Sequence, residues 1–293
     1  MKASTRGFLY AFIATLCGSL VYLFSKAALE EVSLPQFGFY WFLTAIVFNS
    51  LMAAHPRGGF SLRSFVKADY RTLLYLGLIE IVATTTFYQA IAVSPNPSVP
   101  SFLRNLEYLF VTVLGIWLLS ERFGRYARPG AVLTIAGAFI LSSVSTSVHA
   151  FLTGASGLML VSTSFYAART IIAKKHIREI RPVTLALNRA LFLFVFAAFF
   201  VVITGDSLLI PVKAFVLIAC GSFVGPFLTS IFQYSALRFI DASKAAIVQS
   251  TTGLFVLMGA FVVFGNLPQP VQIFGGMVTI AGVLLLMVRR QAE

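Results

Sequence analysis

Charged side chains are scarce in this chain: Asp, Glu, Lys and Arg make up only 11% of its 293 residues. Soluble domains are typically about 25% charged and about 45–50% apolar. Here hydrophobic residues reach 58% and the mean hydropathy is +0.90. With so few charges, water cannot solvate most of the surface. The composition therefore excludes a soluble globular protein and predicts an integral membrane protein.

Residues and motifs of enzymes are equally scarce. Cys17 and Cys220 both lie in apolar runs, without the spacing of a redox or metal site. HExxH, G-x-S-x-G and Walker A sequences are absent, and the three histidines, His55, His149 and His176, fall in or near predicted loops. The sequence therefore predicts no catalytic residue, metal or cofactor, and argues against an enzyme or an ATP-driven pump.

The net charge of +12 does not indicate a nucleic-acid partner, because the basic residues stand in short clusters between apolar runs. Long apolar runs are what the chain has in abundance. A helix needs about 20 residues to cross a bilayer, and proline, glycine and polar clusters separate ten runs near that length. They cover residues 7–28, 36–54, 71–92, 98–119, 129–147, 155–174, 183–204, 212–236, 243–264 and 271–288.

Lysine and arginine are distributed unevenly between the two ends of these predicted spans. Cytoplasmic loops of membrane proteins carry the excess of these residues. Seventeen of the 22 basic residues fall on one side: Lys2, Arg6, Arg57, Arg63, Lys67, Arg71, Arg122, Arg125, Arg128, Lys174, Lys175, Arg178, Arg181, Arg238, Lys244, Arg289 and Arg290. The sequence therefore predicts a multi-pass protein of the cytoplasmic (inner) membrane, with both termini in the cytoplasm.

The chain contains an internal repeat. Residues 130–137 read GAVLTIAG and residues 275–282 read GGMVTIAG, an offset of 145 that is about half the chain. The second copy lacks the basic residues that follow span four in the first, which are Arg122, Arg125 and Arg128. Since each half has five spans, an odd number, the halves must face opposite ways. We expect two inverted five-helix repeats, 7–147 and 155–289, an arrangement typical of secondary transporters.

Three ionisable side chains fall near the middle of predicted spans: Glu80 in span three, and Arg104 and Glu107 in span four. A charge at the bilayer centre costs roughly 2.5–3.5 kcal/mol on insertion scales. These groups must therefore face the protein interior or pair with one another. Arg104 and Glu107 share a helix face at i and i+3, with Tyr108 beside them.

Span three carries a polar stripe, because Glu80, Thr84 and Tyr88 recur every four residues. Two interpretations stay open: a cavity that binds solute and a coupling ion, or a salt-bridged network that locks spans three and four together. Two carboxylates against Arg104 favour the cavity. One of the two carboxylates would then lack a positive partner, and burial would make its ionisation costly. A group that carries a proton needs this property.

The offset of 145 gives the equivalent positions in the second half. Arg104, Tyr88 and Glu107 correspond to Gln249, Gln233 and Thr252. We expect the two glutamines to line the same cavity, and Thr252 is a further candidate, although hydroxyls in membrane helices commonly serve helix–helix hydrogen bonds.

Two more arginines fall near the predicted cytoplasmic ends of spans six and seven. Arg169, about five residues from its span end by this span assignment, is a candidate site residue, whereas snorkelling to the headgroups would explain Arg189. Tyr22 and Tyr166 could line a cavity, but packing or the interfacial belt is the favoured interpretation.

Several segments resemble one family. Residues 115–122 (GIWLLSER), Gly130 with residues 134–137 (TIAG), and residues 236–246 (ALRFIDASKAA) are similar to the EamA domain of the drug/metabolite transporter superfamily. The resemblance covers almost the whole chain as two copies. It implies ten helices around a central cavity and the movement of small organic solutes, often outward.

Together these patterns predict a monomeric secondary transporter in the lipid bilayer that moves a small organic metabolite by alternating access. The site's two signs of charge favour an amino acid or similar amphoteric solute, and we expect export, with protons as a candidate coupling ion. The alternative is a channel or a non-transporting scaffold, and no repeated filter segment supports a channel.

Overall fold

The computed structural model describes residues 3–54, 70–119, 126–142, 154–176, 180–240, 245, 248–265 and 267–286, and the regular elements in these ranges are all helical. They are α1 (Ala3–Leu29), α2 (Leu34–Ala54), α3 (Tyr70–Val93), α4 (Ser98–Leu103), α5 (Leu106–Leu119), α6 (Ala127–Ser142), α7 (Ala155–His176), α8 (Pro182–Thr204), α9 (Val212–Ser222), the π-helical segment Phe223–Thr229, α10 (Ser230–Phe239), α11 (Thr252–Phe264) and α12 (Pro270–Leu286).

The helices have the length and surface of a membrane protein. Four stretches are long and apolar enough to cross a bilayer: Thr5–Leu29, Tyr70–Val93, Pro182–Thr204 and Val212–Phe239. Large apolar side chains point outward along the bundle, and Trp117 is 82% exposed. Such a surface is unfavourable in water and suits contact with lipid tails. The prediction of an α-helical membrane protein is confirmed; ten spans in two inverted repeats stay a prediction.

The predicted orientation depends largely on residues outside the described ranges. Arg57, Arg122 and Arg289 are examples, and the predicted domain ends at residues 147 and 289 also lie outside them.

Predicted span four is broken into α4 and α5, and predicted span nine is broken before α11. The breaks fall at Arg104–Asn105 and at Ser250–Thr251, nearly the same place in the two sequence copies. At the first break, the Glu107 N–H donates to the Arg104 carbonyl at 2.9 Å. At the second, the Leu254 N–H donates to the Thr251 carbonyl at 3.0 Å, again three residues back. These tight turns are 3₁₀-like and interrupt the regular helix, a feature that the apolar runs alone did not predict.

Predicted span eight changes its helical geometry where α9 passes through the π-helical segment into α10. Pro226 lies inside this segment. Because proline has no N–H and its ring clashes in a regular helix, a wider turn accommodates it. The span packs closely on α2: a Cβ at Gly221 would lie 2.4 Å from the fully buried ring of Trp41. The Ser222 hydroxyl donates to the Trp41 carbonyl at 2.8 Å.

The repeated TIAG motif packs against its own copy where α6 contacts α12. A Cβ added to Gly137 would lie 2.6 Å from the backbone nitrogen of Thr279, and one added to Gly282 would lie 2.5 Å from that of Thr134. The contact is reciprocal, since the offset of 145 converts one pair into the other. α2 also packs on α8, α3 on α7 and α1 on α10. The interior between these pairs holds the polar residues described next.

Candidate functional site

Five charged side chains from both halves of the chain meet in the interior, and we call them the ion-pair cluster: Glu80 on α3, Arg104 at the helix break, Glu107 on α5, Arg169 on α7 and Arg189 on α8. Arg169 Nη1 lies 3.2 Å from Glu80 Oε1, and its Nη2 lies 3.7 Å from Glu107 Oε1. Arg189 Nε lies 3.1 Å from Glu80 Oε2, and Arg104 Nη2 lies 3.2 Å from Glu107 Oε2. The cluster thus links four helices and the break between α4 and α5.

Burial divides the cluster into a sealed part and an accessible part. The side chains of Arg169 and Glu80 are each 2% exposed and that of Glu107 is 3% exposed. Arg189 and Arg104 are 13% and 20% exposed. The five groups carry three positive and two negative formal charges, so the cluster has one positive charge in excess.

This arrangement corrects two sequence-based expectations. The surplus charge is an arginine rather than a carboxylate, because Arg169 and Arg189 both reach Glu80. Arg189 does not snorkel to the headgroups: its Nη1 donates to the Ser230 hydroxyl at 3.2 Å and its Nη2 to the Tyr166 hydroxyl at 3.3 Å. An arginine inside an apolar span was the available signal, but the position of a residue in a span does not give the direction of its side chain.

Hydroxyl groups complete the coordination of both carboxylates. The Thr84 hydroxyl donates to Glu80 Oε2 at 2.9 Å and lies 2.9 Å from the Tyr166 hydroxyl. The Thr170 hydroxyl donates to Glu107 Oε1 at 3.2 Å. Such charge-assisted hydrogen bonds offset part of the cost of burying a carboxylate.

Tyr166, which the sequence interpretation assigned to packing, lies at the centre of the cluster. Its ring centroid is 4.5 Å from the guanidinium carbon of Arg104, 4.8 Å from that of Arg169 and 5.9 Å from that of Arg189. Cations are attracted to the face of an aromatic ring within about 6 Å. The ring therefore holds three like charges close together.

Beside the cluster lies a cleft that we call the central cavity. Both halves contribute to its wall, and none of the described residues that line it is acidic. The polar wall includes two arginines, four tyrosines and two glutamines: Arg104, Arg189, Tyr22, Tyr88, Tyr108, Tyr166, Gln233 and Gln249.

The predicted site residues divide between the cavity wall and the layer behind it. The central cavity is lined by Arg104, Tyr88, Tyr108, Gln233, Gln249 and Thr252. Three members of the cluster, Glu80, Glu107 and Arg169, do not line it, and neither does Thr84 beside Glu80. The two glutamine side chains are in contact, with Nε2 of Gln233 3.4 Å from Oε1 of Gln249. The Thr252 hydroxyl donates to the Gln249 carbonyl at 2.6 Å, a hydrogen bond within the helix turn.

Among the described residues, no three His, Cys, Asp or Glu side chains are grouped as metal ligands. His55 and His149 lie outside the described ranges.

Comparisons with known proteins bear on the whole chain. The model of the EamA-like transporter family matches residues 5–143 and 154–288. A protein of Archaeoglobus fulgidus named "Uncharacterized transporter" is 22% identical over 222 residues, which are 75% of this chain and 70% of that protein. A solved structure described as "Crystal structure of protein" covers 96% of both chains with a TM-score of 0.70 and 14% identity, a likeness of fold. The chain is a multi-pass membrane protein that belongs to the EamA-like transporter family, within the drug/metabolite transporter superfamily.

Proposed function

We propose that this protein is a secondary transporter that moves a small organic solute across the cytoplasmic membrane by alternating access, with the central cavity as the solute site. The observation that carries the proposal is the cavity itself, which lies between the halves and receives Arg104 from one and Arg189 from the other. Solute sites of secondary transporters typically lie at such a repeat interface, near broken helices.

Several observations support two inverted repeats, residues 7–147 and 155–289, each with five spans. The family model matches twice. The contact of Gly137 with Thr279 is repeated by that of Gly282 with Thr134. Helix breaks occur at nearly equivalent positions in the two copies.

The ion-pair cluster gives the two halves a means of changing their relative position. Three of its four ion pairs join a glutamate of the first half to an arginine of the second, those of Glu80 with Arg169 and Arg189 and that of Glu107 with Arg169. Rocking of one half against the other must strain or exchange these pairs. Protonation of Glu80 or Glu107 would weaken them, and this is why a proton is our candidate coupling ion.

Loops of the two halves are also joined at one end of the bundle, and we call these contacts the loop clasp. The Ser33 hydroxyl donates to Asp206 Oδ2, and Gln36 Nε2 donates to the Ser207 carbonyl, both at 2.6 Å. Lys213 pairs with Glu31 at the same end. An exposed ion pair such as that of Lys213 typically contributes about 0–1 kcal/mol, and a hydrogen bond to a charged group about 1.5–3 kcal/mol, so the clasp can open without unfolding of the protein. The basic-residue distribution puts this end outside the cell, and export would require it to open.

An amino acid or similar amphoteric solute stays our starting candidate. Its carboxylate can reach Arg104 or Arg189 at the cavity wall, and its neutral part has aromatic and amide surfaces to contact. The purified protein is first screened for solutes that raise its unfolding temperature, among amino acids, nucleotides, vitamins and organic cations.

Transport of the best solute is then measured in proteoliposomes. We expect saturable uptake and counterflow against excess internal solute, both lost in Arg104→Ala and kept in Arg238→Ala, an exposed arginine that does not line the cavity. Flux that rises linearly with concentration without counterflow would indicate a channel and overturn the proposal. The absence of flux for any solute that binds would leave a non-transporting scaffold.

A further inference from the structure

We infer that the central cavity recognises its solute as an organic anion, with Arg104 and the Tyr22 hydroxyl as the groups that bind the carboxylate or phosphate, and that an ammonium group on the solute adds nothing to binding. This inference rests on the proposed function and specifies the solute class of the same site.

The charge at the cavity wall is of one sign. Arg104 and Arg189 line the cavity, and the described lining residues include no carboxylate. Glu80 and Glu107 are sealed behind them and already engaged by arginines and threonine hydroxyls. A solute ammonium would therefore meet two guanidinium groups with no acidic partner, which is electrostatically unfavourable.

Arg104 is the wall arginine whose donors are least used. It forms an ion pair with Glu107, with Nη2 3.2 Å from Oε2, and lies beside the Tyr22 hydroxyl. Arg189, in contrast, donates to Ser230, Thr84 and Tyr166. A guanidinium presents five N–H donors in a planar fork that matches a carboxylate or phosphate. Arg104 is therefore the group that can form a two-point contact with an anionic solute.

The position of Arg104 is fixed by aromatic contacts. Its guanidinium carbon lies 4.5 Å from the Tyr166 ring centroid and 5.2 Å from that of Phe87. These rings hold the guanidinium in place without consuming its hydrogen-bond donors, which lowers the entropy lost when a solute binds.

Tyr22 provides an independent indication of a ligand. Its side chain is 2% exposed and lines the cavity, yet its hydroxyl hydrogen has no acceptor among the described residues, because the neighbouring Arg104 guanidinium can only donate. A buried polar group without a partner is costly and rare in native proteins. The ring packs edge-to-face on Phe87, with centroids 5.1 Å apart, so its position does not depend on the hydroxyl. An anion in the cavity would supply the missing acceptor.

The excess charge of the ion-pair cluster points to the same solute class. One uncompensated positive charge inside a membrane protein is unfavourable, and a bound anion neutralises it. A cation would raise the excess to two, and a zwitterion would leave it unchanged.

The first experiment measures binding of matched solutes to the purified full-length protein by thermal shift and calorimetric titration. Each of three side groups (phenyl, indole and isopropyl) is presented with a carboxylate alone, with both groups as the amino acid, with an amine alone, with a neutral amide, and as a phosphate monoester. We expect the carboxylates or the phosphates to bind at least as tightly as the amino acids, and the amines and amides at least about tenfold more weakly. The carboxylate and phosphate arms show which acidic group the site takes.

Variants then identify the binding groups. Tyr22→Phe removes only the hydroxyl, so we expect an unfolding temperature that is unchanged or higher, with affinity for the acid reduced about tenfold. Arg104→Gln should abolish the preference for acid over amide. Tyr75→Phe is the matched control, because Tyr75 is exposed on α3 and does not line the cavity.

Tighter binding of amino acids than of the corresponding acids, binding of amines or amides in preference to acids, or no binding of any acid would overturn the inference. If Tyr22→Phe binds the acid with full affinity, the Tyr22 hydroxyl does not bind the anion and that part of the inference is wrong. These results are distinct from failure of the proposed function. Saturable counterflow of a neutral or cationic solute would support a transporter and reject the anion site. Tight binding of an acid without any flux would support the anion site and reject the transporter.

Discussion

Arg189 reaches Glu80 across the two halves of the chain, with Nε 3.1 Å from Oε2, although 109 positions of sequence separate them. Glu80 also pairs with Arg169, and both partners belong to the second half. Contact between the halves is therefore electrostatic at the centre of the protein, while it consists of close backbone packing where α6 meets α12. Ion pairs at the centre can exchange partners when the halves move, whereas the close packing of α6 on α12 resists such movement.

Arg169→Ala should strongly destabilise the protein. Arg169 is the sealed arginine that pairs with both glutamates, and its removal takes one ion pair from each and leaves a buried void. Breaking a buried pair costs up to about 3–5 kcal/mol, and this cost is reduced because Glu80 keeps Arg189 and Glu107 keeps Arg104. The unfolding temperature in detergent should fall well below that of Arg238→Ala, and equal stability of these two variants would contradict a structural role for Arg169.

Glu80→Gln and Glu107→Gln test the proton as coupling ion. Each amide keeps the shape of the side chain but removes the charge that protonation would neutralise. We expect at least one variant to lose the dependence of transport on an imposed pH gradient while counterflow at equal pH persists. The measurement is solute uptake in proteoliposomes with and without the gradient. An unchanged response in both variants would exclude these residues as the proton carriers.

Gly137→Ala and Gly282→Ala should destabilise the protein to a similar extent. In each variant the new methyl group would lie 2.5–2.6 Å from a backbone nitrogen of the facing helix, which forces the helices apart. Overpacking of this kind typically costs about 1–3 kcal/mol. Thermal unfolding of both variants is compared with that of Gly18→Ala, where the nearest atom would be 3.6 Å away. A clear fall in the unfolding temperature of only one of the two variants would show that the two glycine contacts do not contribute equally to stability.

Asp206→Ala should open the loop clasp without unfolding the protein. The substitution removes the acceptor of the Ser33 hydroxyl, and a hydrogen bond to a charged group typically contributes about 1.5–3 kcal/mol. In a protein with Cys17 and Cys220 replaced by serine, a single cysteine introduced at Val21, which lines the cavity, reports access. We expect faster reaction with a membrane-impermeant maleimide added from outside. A slower or unchanged rate would mean that the clasp does not control access from that side.

The sequence predicted the helices well because their signals are local. Proline, glycine and charge clusters end the apolar runs, and the bounds of α3 and α8 agree with prediction within one residue. The i to i+4 spacing of Glu80 and Thr84 likewise placed their side chains together, and the hydrogen bond between them is present.

The candidate site was harder to predict because its partners come from different helices. Arg189 and Tyr166 lie on helices far from Glu80 in the sequence. Neither the repeat nor any local pattern indicates that these residues contact Glu80. The repeat also suggested that charge belonged to the first half alone, since Arg104 corresponds to Gln249. The second half instead contributes arginines at other positions. Pairing each residue with the one 145 positions later does not reveal them.

The π-helical segment Phe223–Thr229 gives the cavity wall a way to change its composition. A π turn contains an extra residue compared with an α turn. If this segment tightened to α-helix, α10 would advance by about 1.5 Å and rotate by about 100° relative to α9. Gln233 would then turn away from Gln249, and a different side chain of α10 would face the solute. Pro226 opposes that tightening, so the wall residues presented to the solute are set by the geometry of a single turn.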